Sequence, residues 1–329
     1  MRRRSKGPSS PLPQRRGIDP VRVRFPEDPE GAPGTVGAYL VARYGHAVGV
    51  ARVEEMLRDG RFVGVGGAVA GSPRFLAGGG DGWVGGAGPA AGTEPYVAGR
   101  YLWFHRDFPA ETPVPFAIGV VHRDERIVVA DKPHFLATMP RGRHVTETAL
   151  ARLRRDLGLP HLQPAHRLDR LTAGLVLFVV REEDRGAYQT LFRDRVVRKE
   201  YEAVAPYDPA VELPVTVRSR IEKERGVMAA REVPGEPNAE SRIELLRHAG
   251  GLGRYRLVPV TGRTHQLRVH MNRLGLPIVG DPVYPVVRED GPEDFARPLR
   301  LLARTLEFTD PFTGDVLGFE SRLRLSGPA

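Results

Sequence analysis

Two short runs hold most of the reactive side chains in this sequence. The first is Ala165-His166-Arg167-Leu168-Asp169-Arg170-Leu171-Thr172-Ala173-Gly174. It sets a carboxylate between two arginines, at the mouth of the apolar segment Leu175-Val176-Leu177-Phe178. A carboxylate in such a place is costly unless a partner neutralises it or a reaction uses it. Two readings of Asp169 follow. It caps a turn or pairs with Arg167 or Arg170, or it is an ionised, positioned nucleophile able to attack a sugar or base carbon. The second run is Thr261-Gly262-Arg263-Thr264-His265-Gln266-Leu267-Arg268-Val269-His270. With a helix starting at Thr264, His265, Arg268 and Asn272 share one face. Leu267, Met271 and Leu274 form the opposing apolar stripe, closed by Gly275. The core face is then assigned away from Arg268. A guanidinium on that element, set beside a carboxylate, favours the ionised carboxylate.

The elements that must hold these runs are legible from Pro113 onward. Ile127-Val128-Val129-Ala130 reads as a short buried strand ending at Asp131-Lys132-Pro133. Thr146 is the expected cap of a helix with Ala149, Leu150, Leu153 and Leu157 inward and Arg152, Arg154 and Arg155 largely outward. Gly158-Leu159-Pro160 ends it. Residues 174–180 form a continuous apolar strand, central in a sheet. Residues 183–195 read as a helix with Tyr188, Leu191 and Phe192 on one face; 200–205 and 254–260 are further strands. Strands and helices mix without strict alternation, which indicates an α+β fold.

The N-terminal third reads differently. Residues 1–20 carry five prolines or glycines before Ile18 and many basic residues, so they are expected to be a disordered basic arm. Thr35 caps a helix that breaks at Gly45; a second helix covers Val50 to Arg58 and stops at Gly60, and a strand follows over 61–65. The Gly-rich stretch from Gly64 to Gly99 has neither period and reads as loops. Residues 21–112 are taken as one small domain and 113–329 as a second.

Bulk properties exclude several classes. There are no cysteines, which removes disulfides, thiolate metal sites and a cysteine nucleophile and fits a cytoplasmic protein. No apolar run approaches a membrane span, and the basic start lacks a secretory apolar stretch. His265 and His270 do not share a helix face, and no His-Glu-x-x-His helix occurs, so no metal is expected. The net charge is +9, which suggests a nucleic-acid partner. It is uneven, because residues 1–24 hold eight Lys/Arg against Asp19 alone.

The two runs, with three further motifs, resemble those of the RluA-type RNA pseudouridine synthases. His166-Arg167-Leu168-Asp169 matches the motif of the catalytic carboxylate. Lys199-Glu200-Tyr201 matches the strand whose tyrosine packs against the target base. Arg268 matches the arginine that pairs with the catalytic Asp. Asp131-Lys132-Pro133 and Gly280-Asp281-Pro282-Val283-Tyr284 match an early strand motif and a closing loop. The match covers about residues 114–325. Thr172-Ala173-Gly174 departs from the usual Thr-Ser-Gly, and His134-Phe135-Leu136-Ala137 departs from the usual Ala-Gly or Ser-Gly.

The resemblance implies a catalytic domain on a mixed, largely antiparallel sheet, with Asp169, Tyr201 and Arg268 catalytic. It implies RNA contacts from His166, Arg167, Arg170, Thr172, Lys199, Arg263, His265 and Gln266. The target uridine is flipped out of its stack, and Arg167 fills the vacated place. Asp169 forms a covalent adduct, the glycosidic bond breaks, the uracil turns, and C5 bonds to C1′. Nothing enters or leaves, so no cofactor is required. The expected partner is ribosomal or transfer RNA, met by a monomer. Helix, helix and strand over 33–65 are similar in order to the small alpha-L RNA-binding domain. Residues 139–143 are similar to members acting on a stem-loop shared by transfer and large ribosomal RNA. Two rivals are a non-catalytic RNA-binding protein on a decayed synthase and a carboxylate-dependent RNA hydrolase. The hydrolase needs a second acid near Asp169, with Asp131 and Asp281 the motif acids on offer.

Overall fold

A computed structural model of the chain describes residues 7–31, 33–65, 87–90, 92–288 and 293–328. The chain divides into two compact units, Met1–Phe108 and Pro109–Ala329.

The first unit contains β1 (Val21–Arg24), α1 (Val36–Val48), α2 (Val50–Arg58), β2 (Val63–Val65), β3 (Ala87–Pro89) and β4 (Tyr101–Phe104). The strands pair antiparallel in the order β1-β4-β2-β3. Phe25, Leu40, Val53, Phe62 and Leu102 fill the space between sheet and helices. Thr35 caps α1 by accepting from the Ala38 amide, as its position before the apolar run predicts. The break falls at Gly49, where φ is +92°, not at Gly45. A Cβ on Gly45 would stand 3.0 Å from Val50 Cγ2. That glycine therefore admits the start of α2 instead of ending α1. Two strands, β2 and β3, arise at the borders of the Gly-rich stretch; residues 66–86 lie outside the described residues.

The N-terminal segment also departs from expectation. Residues 1–6 lie outside the described residues, but 7–20 are not a free arm. Arg15 and Ile18 exchange both backbone hydrogen bonds at 3.0 Å, and Ile18 is only 5% exposed. One apolar side chain in a basic segment supplies the burial that anchors it.

The second unit contains β5 (Gly119–Arg123), β6 (Ile127–Lys132), α3 (Ala149–Leu157), β7 (Gln163–Pro164), β8 (Ala173–Val179), α4 (Arg185–Arg193), β9 (Arg198–Pro206), β10 (Val215–Glu222), β11 (Arg231–Val233), β12 (Ala239–Ala249), β13 (Leu252–Pro259), α5 (Gln266–Arg273), β14 (Leu301–Thr309) and β15 (Val316–Glu320). Among the described residues they form one large sheet in the order β11-β10-β12-β13-β9-β14-β8-β6-β5, with β15 on β14 and β7 on β8. The β8–β14 pair is parallel and its neighbours are antiparallel, so the α+β expectation of a mixed, largely antiparallel sheet holds. β6 and β8 are buried along their whole length, as continuous apolar runs predict. At Gly174, φ is +110° and a Cβ would lie 2.3 Å from the Ala303 carbonyl oxygen. Only glycine lets β14 approach the mouth of β8 so closely.

Three local expectations change. Thr148, not Thr146, caps α3, accepting from the Ala151 amide. Thr146 is held by Glu111, whose carboxylate accepts from its amide and hydroxyl. The arginines of α3 do not form an outward row. Arg154 is 5% exposed and donates to the Leu162 carbonyl. Arg152 pairs with Glu147 and donates to the carbonyls of Val114 and Phe116. Arg155 alone of the three is exposed. Finally, α5 starts at Gln266, after His265 in a left-handed conformation. It is buried on both sides: Leu267 and Met271 face one apolar cluster and Val269 another, and Arg268 itself is 2% exposed.

Candidate active site

A cleft of about 390 Å³ opens where the loop before β8, the end of α4, the start of β9 and the β13–α5 connection meet. That size lies within the roughly 300–1,000 Å³ of small-ligand pockets. Asp169 contributes the one carboxylate among the residues lining it, against six cationic side chains: Arg167, Arg193, Arg195, Lys199, Arg263 and Arg268.

The turn carrying Asp169 is clamped from beneath. The Thr172 amide donates to the Asp169 carbonyl at 3.1 Å. Thr138 Oγ1 donates to the Leu168 carbonyl and accepts from the Leu168 amide. His134 Nδ1 lies 2.8 Å from the Leu171 carbonyl. Lys132, fully buried, donates to the carbonyls of Pro133, Leu136 and Arg170. Burial pushes its ammonium down to about 7, against the upward pull of Asp169. The unusual His134–Ala137 segment is therefore part of the platform. Asp131 serves elsewhere, accepting from Ser321 Oγ and from the Arg322 and Leu323 amides.

The Asp169 side chain is 27% exposed, with Oδ2 3.9 Å from Arg268 Nη1 and 4.0 Å from His265 Nε2. Its carboxylate accepts no hydrogen bond from the described residues. Arg268 makes its close pair with Asp281 instead, at 2.7 Å through both Nε and Nη2. Burial works to lower the guanidinium pKa, but Asp281 outweighs it and the net shift is upward. Asp281 also accepts from the amides of Val283 and Tyr284. Both acids named for a hydrolase are thus engaged elsewhere, and neither lines the cleft. Among the described residues no group of His, Cys, Asp and Glu is arranged to hold a metal.

Tyr201 lies on β9 two residues after Lys199, so both face the cleft. Burial first, and then the Asp169 charge, push its phenol above the usual range. Of the residues expected to touch RNA, all but Arg170 line the cleft: His166, Arg167, Thr172, Lys199, Arg263, His265 and Gln266. Arg263 also donates from Nε to the Asn238 carbonyl, and His265 Nδ1 lies 3.1 Å from the Tyr284 hydroxyl.

Three of the residues expected to touch RNA are engaged within the protein. Arg170 is absent from the cleft wall and pairs with Glu293. His166 lines the cleft, but its Nε2 accepts from the Leu177 amide at 3.1 Å and its ring stacks on Phe192. Burial pushes it down to about 3, so it is a neutral structural acceptor. Gln266 holds the loop: Oε1 accepts from Thr261 Oγ1 and the Arg263 amide, and Nε2 donates to the Glu240 carbonyl and Ser241 Oγ. Sequence reasoning missed Lys132, Thr138, Phe192 and Arg195. Only the position of Arg195 just past a helix end, where glycine is usual, could have flagged it.

Residues 126–273 match the family model described as RNA pseudouridylate synthase. The dual-specificity RNA pseudouridine synthase RluA of Pasteurella multocida is 32% identical over 212 residues, 62% of this chain and 92% of that protein. The pseudouridylate synthase RPUSD2 of Homo sapiens is 33% identical over 180 residues, 55% of this chain and 33% of that longer protein. The solved structure of human RNA pseudouridylate synthase domain containing 1 superposes with a TM-score of 0.52 at 25% identity, over 64% of this chain and 86% of that one. Fold, cleft and likeness define an enzyme that rearranges a nucleotide within RNA. The chain belongs to the RluA-type RNA pseudouridine synthases, which are isomerases.

Proposed function

We propose that Asp169 is the nucleophile that converts uridine to pseudouridine in this cleft, with Tyr201 against the base and Arg268 orienting the carboxylate. One observation carries the reading: Asp169 is the sole carboxylate among the residues lining a cationic cleft, and a guanidinium and an imidazole stand 3.9 and 4.0 Å from its Oδ2. In the reaction an Asp169 oxygen bonds to the nucleotide and the N1–C1′ bond breaks. The uracil turns, C5 bonds to C1′, the adduct opens, C5 loses its hydrogen and N1 gains a proton. Composition is unchanged. Flipping the uridine into the cleft costs a few kcal/mol of stacking. Arg167, exposed and without an ion pair among the described residues, is the group that fills the gap.

The substrate is a uridine in ribosomal or transfer RNA. The dual specificity in the bacterial relative's name supports this, as does the exposed Arg141-Gly142-Arg143 turn. Catalysis resides in residues 113–329, which contain every residue lining the cleft, and the enzyme works as a cytoplasmic monomer. Release of tritium from RNA labelled at uracil C5 tests the chemistry, because only isomerisation frees that hydrogen. RNA cleavage without tritium release would overturn it. Mapping pseudouridines in a deletion strain beside its parent identifies the target.

A further inference from the structure

The cleft holds a cationic pair that no part of the reaction uses. Arg195 ends the turn that leaves α4, and Lys199 lies four residues on, as the second residue of strand β9. Between them Val197, 6% exposed, anchors the chain in the core. Both cations line the cleft. Neither side chain makes an ion pair or hydrogen bond among the described residues. Their neighbours differ: Arg193 pairs with Asp194 at 2.8 Å, and Arg268 with Asp281. Lys199 is half-buried, and its ammonium is pushed down by burial first and then by the Arg195 charge. Two like charges lie together and neither is paired with an acid among the described residues, which is unfavourable.

The backbone adds a second, independent observation. Arg195 has φ +59°, the left-handed region that favours glycine. The Val196 amide donates to the Leu191 carbonyl and the Arg195 amide to the Phe192 carbonyl, so this is a helix-ending motif in which glycine is the usual residue. The chain instead holds a long cationic side chain in a strained conformation at the rim of the cleft. Such strain beside a site points to a ligand.

We infer that Arg195 and Lys199 form an anion site for a backbone phosphate of the RNA next to the flipped uridine. The inference rests on the cleft being the uridine site, and it adds a contact that fixes the RNA's register without reading its sequence. Arg195 is a positioning and binding residue and takes no part in the bond changes.

The test uses the full chain and a uridine-containing RNA stem-loop, with Arg195→Gly, Arg195→Lys and Asp169→Asn. Arg195→Gly suits the left-handed backbone, so its thermal midpoint should equal or exceed that of the parent. Its RNA affinity should fall about tenfold, and the slope of log affinity against log salt should flatten by about 0.7–0.9. The loss should fall on KM more than on kcat. Arg195→Lys should restore most of the affinity. If Arg195 only complements the negative end of α4, Arg195→Gly lowers the midpoint and leaves the salt slope unchanged, and the anion site is overturned. Asp169→Asn separates the two readings. An active Asp169→Asn would fault the cleft assignment itself. An inactive Asp169→Asn beside an unchanged Arg195→Gly salt slope would fault the anion site alone.

Discussion

Asp281 grips Arg268 through two hydrogen bonds of 2.7 Å, so the guanidinium that faces Asp169 across 3.9 Å is already paired with another carboxylate. The arginine is thus a fixed wall of the cleft, with its free Nη1 presented to Asp169. Removing one partner of a buried pair typically costs about 3–5 kcal/mol, because the other charge is left uncompensated. Asp281→Ala should lower stability by that order and should also reduce turnover, although Asp281 does not line the cleft. Parent-like turnover by the folded variant would show that Arg268 keeps its place without Asp281.

Arg268→Lys keeps the charge but loses the planar fork that spans Asp281. A loss of at least ~100-fold in kcat is expected from misplacing a catalytic neighbour by about an ångström. Arg268→Met should be worse. Single-turnover kinetics on the labelled stem-loop would measure both, and a lysine variant within tenfold of the parent would remove Arg268 from the site.

Asp169→Asn should fold as the parent does. The carboxylate accepts no hydrogen bond from the described residues, and its nearest cations stand at 3.9 and 4.0 Å, so the isosteric amide disturbs little. Turnover should vanish, since an amide oxygen is a far poorer nucleophile. Tritium release above about one per cent of the parent's would contradict the assignment.

Three histidines make stability acid-sensitive. Burial, aided by the Lys199 charge, pushes His166 down to about 3. Burial pushes His265 and His270 down to about 4, against the pull of Asp169 and of Glu232 respectively. In the unfolded chain each titrates near 6.5. Between about pH 6.5 and 4 the unfolded state therefore binds more protons, and stability falls as pH falls. Each contributes up to ~1.4 kcal/mol per pH unit inside that window. Urea midpoints at pH 7 and pH 5 would measure it. Equal midpoints would mean that the rings take up protons in the folded state.

Ile18→Ala should cost about 2–4 kcal/mol, the usual range for a buried isoleucine, because Ile18 is 5% exposed. Thermal unfolding of the full chain, followed by the fluorescence of its two tryptophans, Trp83 and Trp103, both in the first unit, would read it. An unchanged transition would return residues 7–20 to the status of a solvated arm.

What the sequence determined alone is what depends on near neighbours. Continuous apolar runs set β6 and β8, because a strand buried on both faces needs no alternation. Thr35 and Gly158 set helix ends through bonds that span three or four residues. The type and order of Asp169, Tyr201 and Arg268 could be read directly, and with them the family. The tertiary structure decided which groups meet. Arg170 reaches Glu293, 123 residues away, and that contact turns it from the cleft. Glu111 binds Thr146 from 35 residues upstream and shifts the helix cap to Thr148. Arg268 can reach either of two carboxylates. Only the packing of α5 against the Asp281 loop gives Asp281 the short contacts and leaves Asp169 a free oxygen surface. Each outcome is a competition between partners far apart in the chain, settled by distances of an ångström or so, and residue spacing carries no record of those distances.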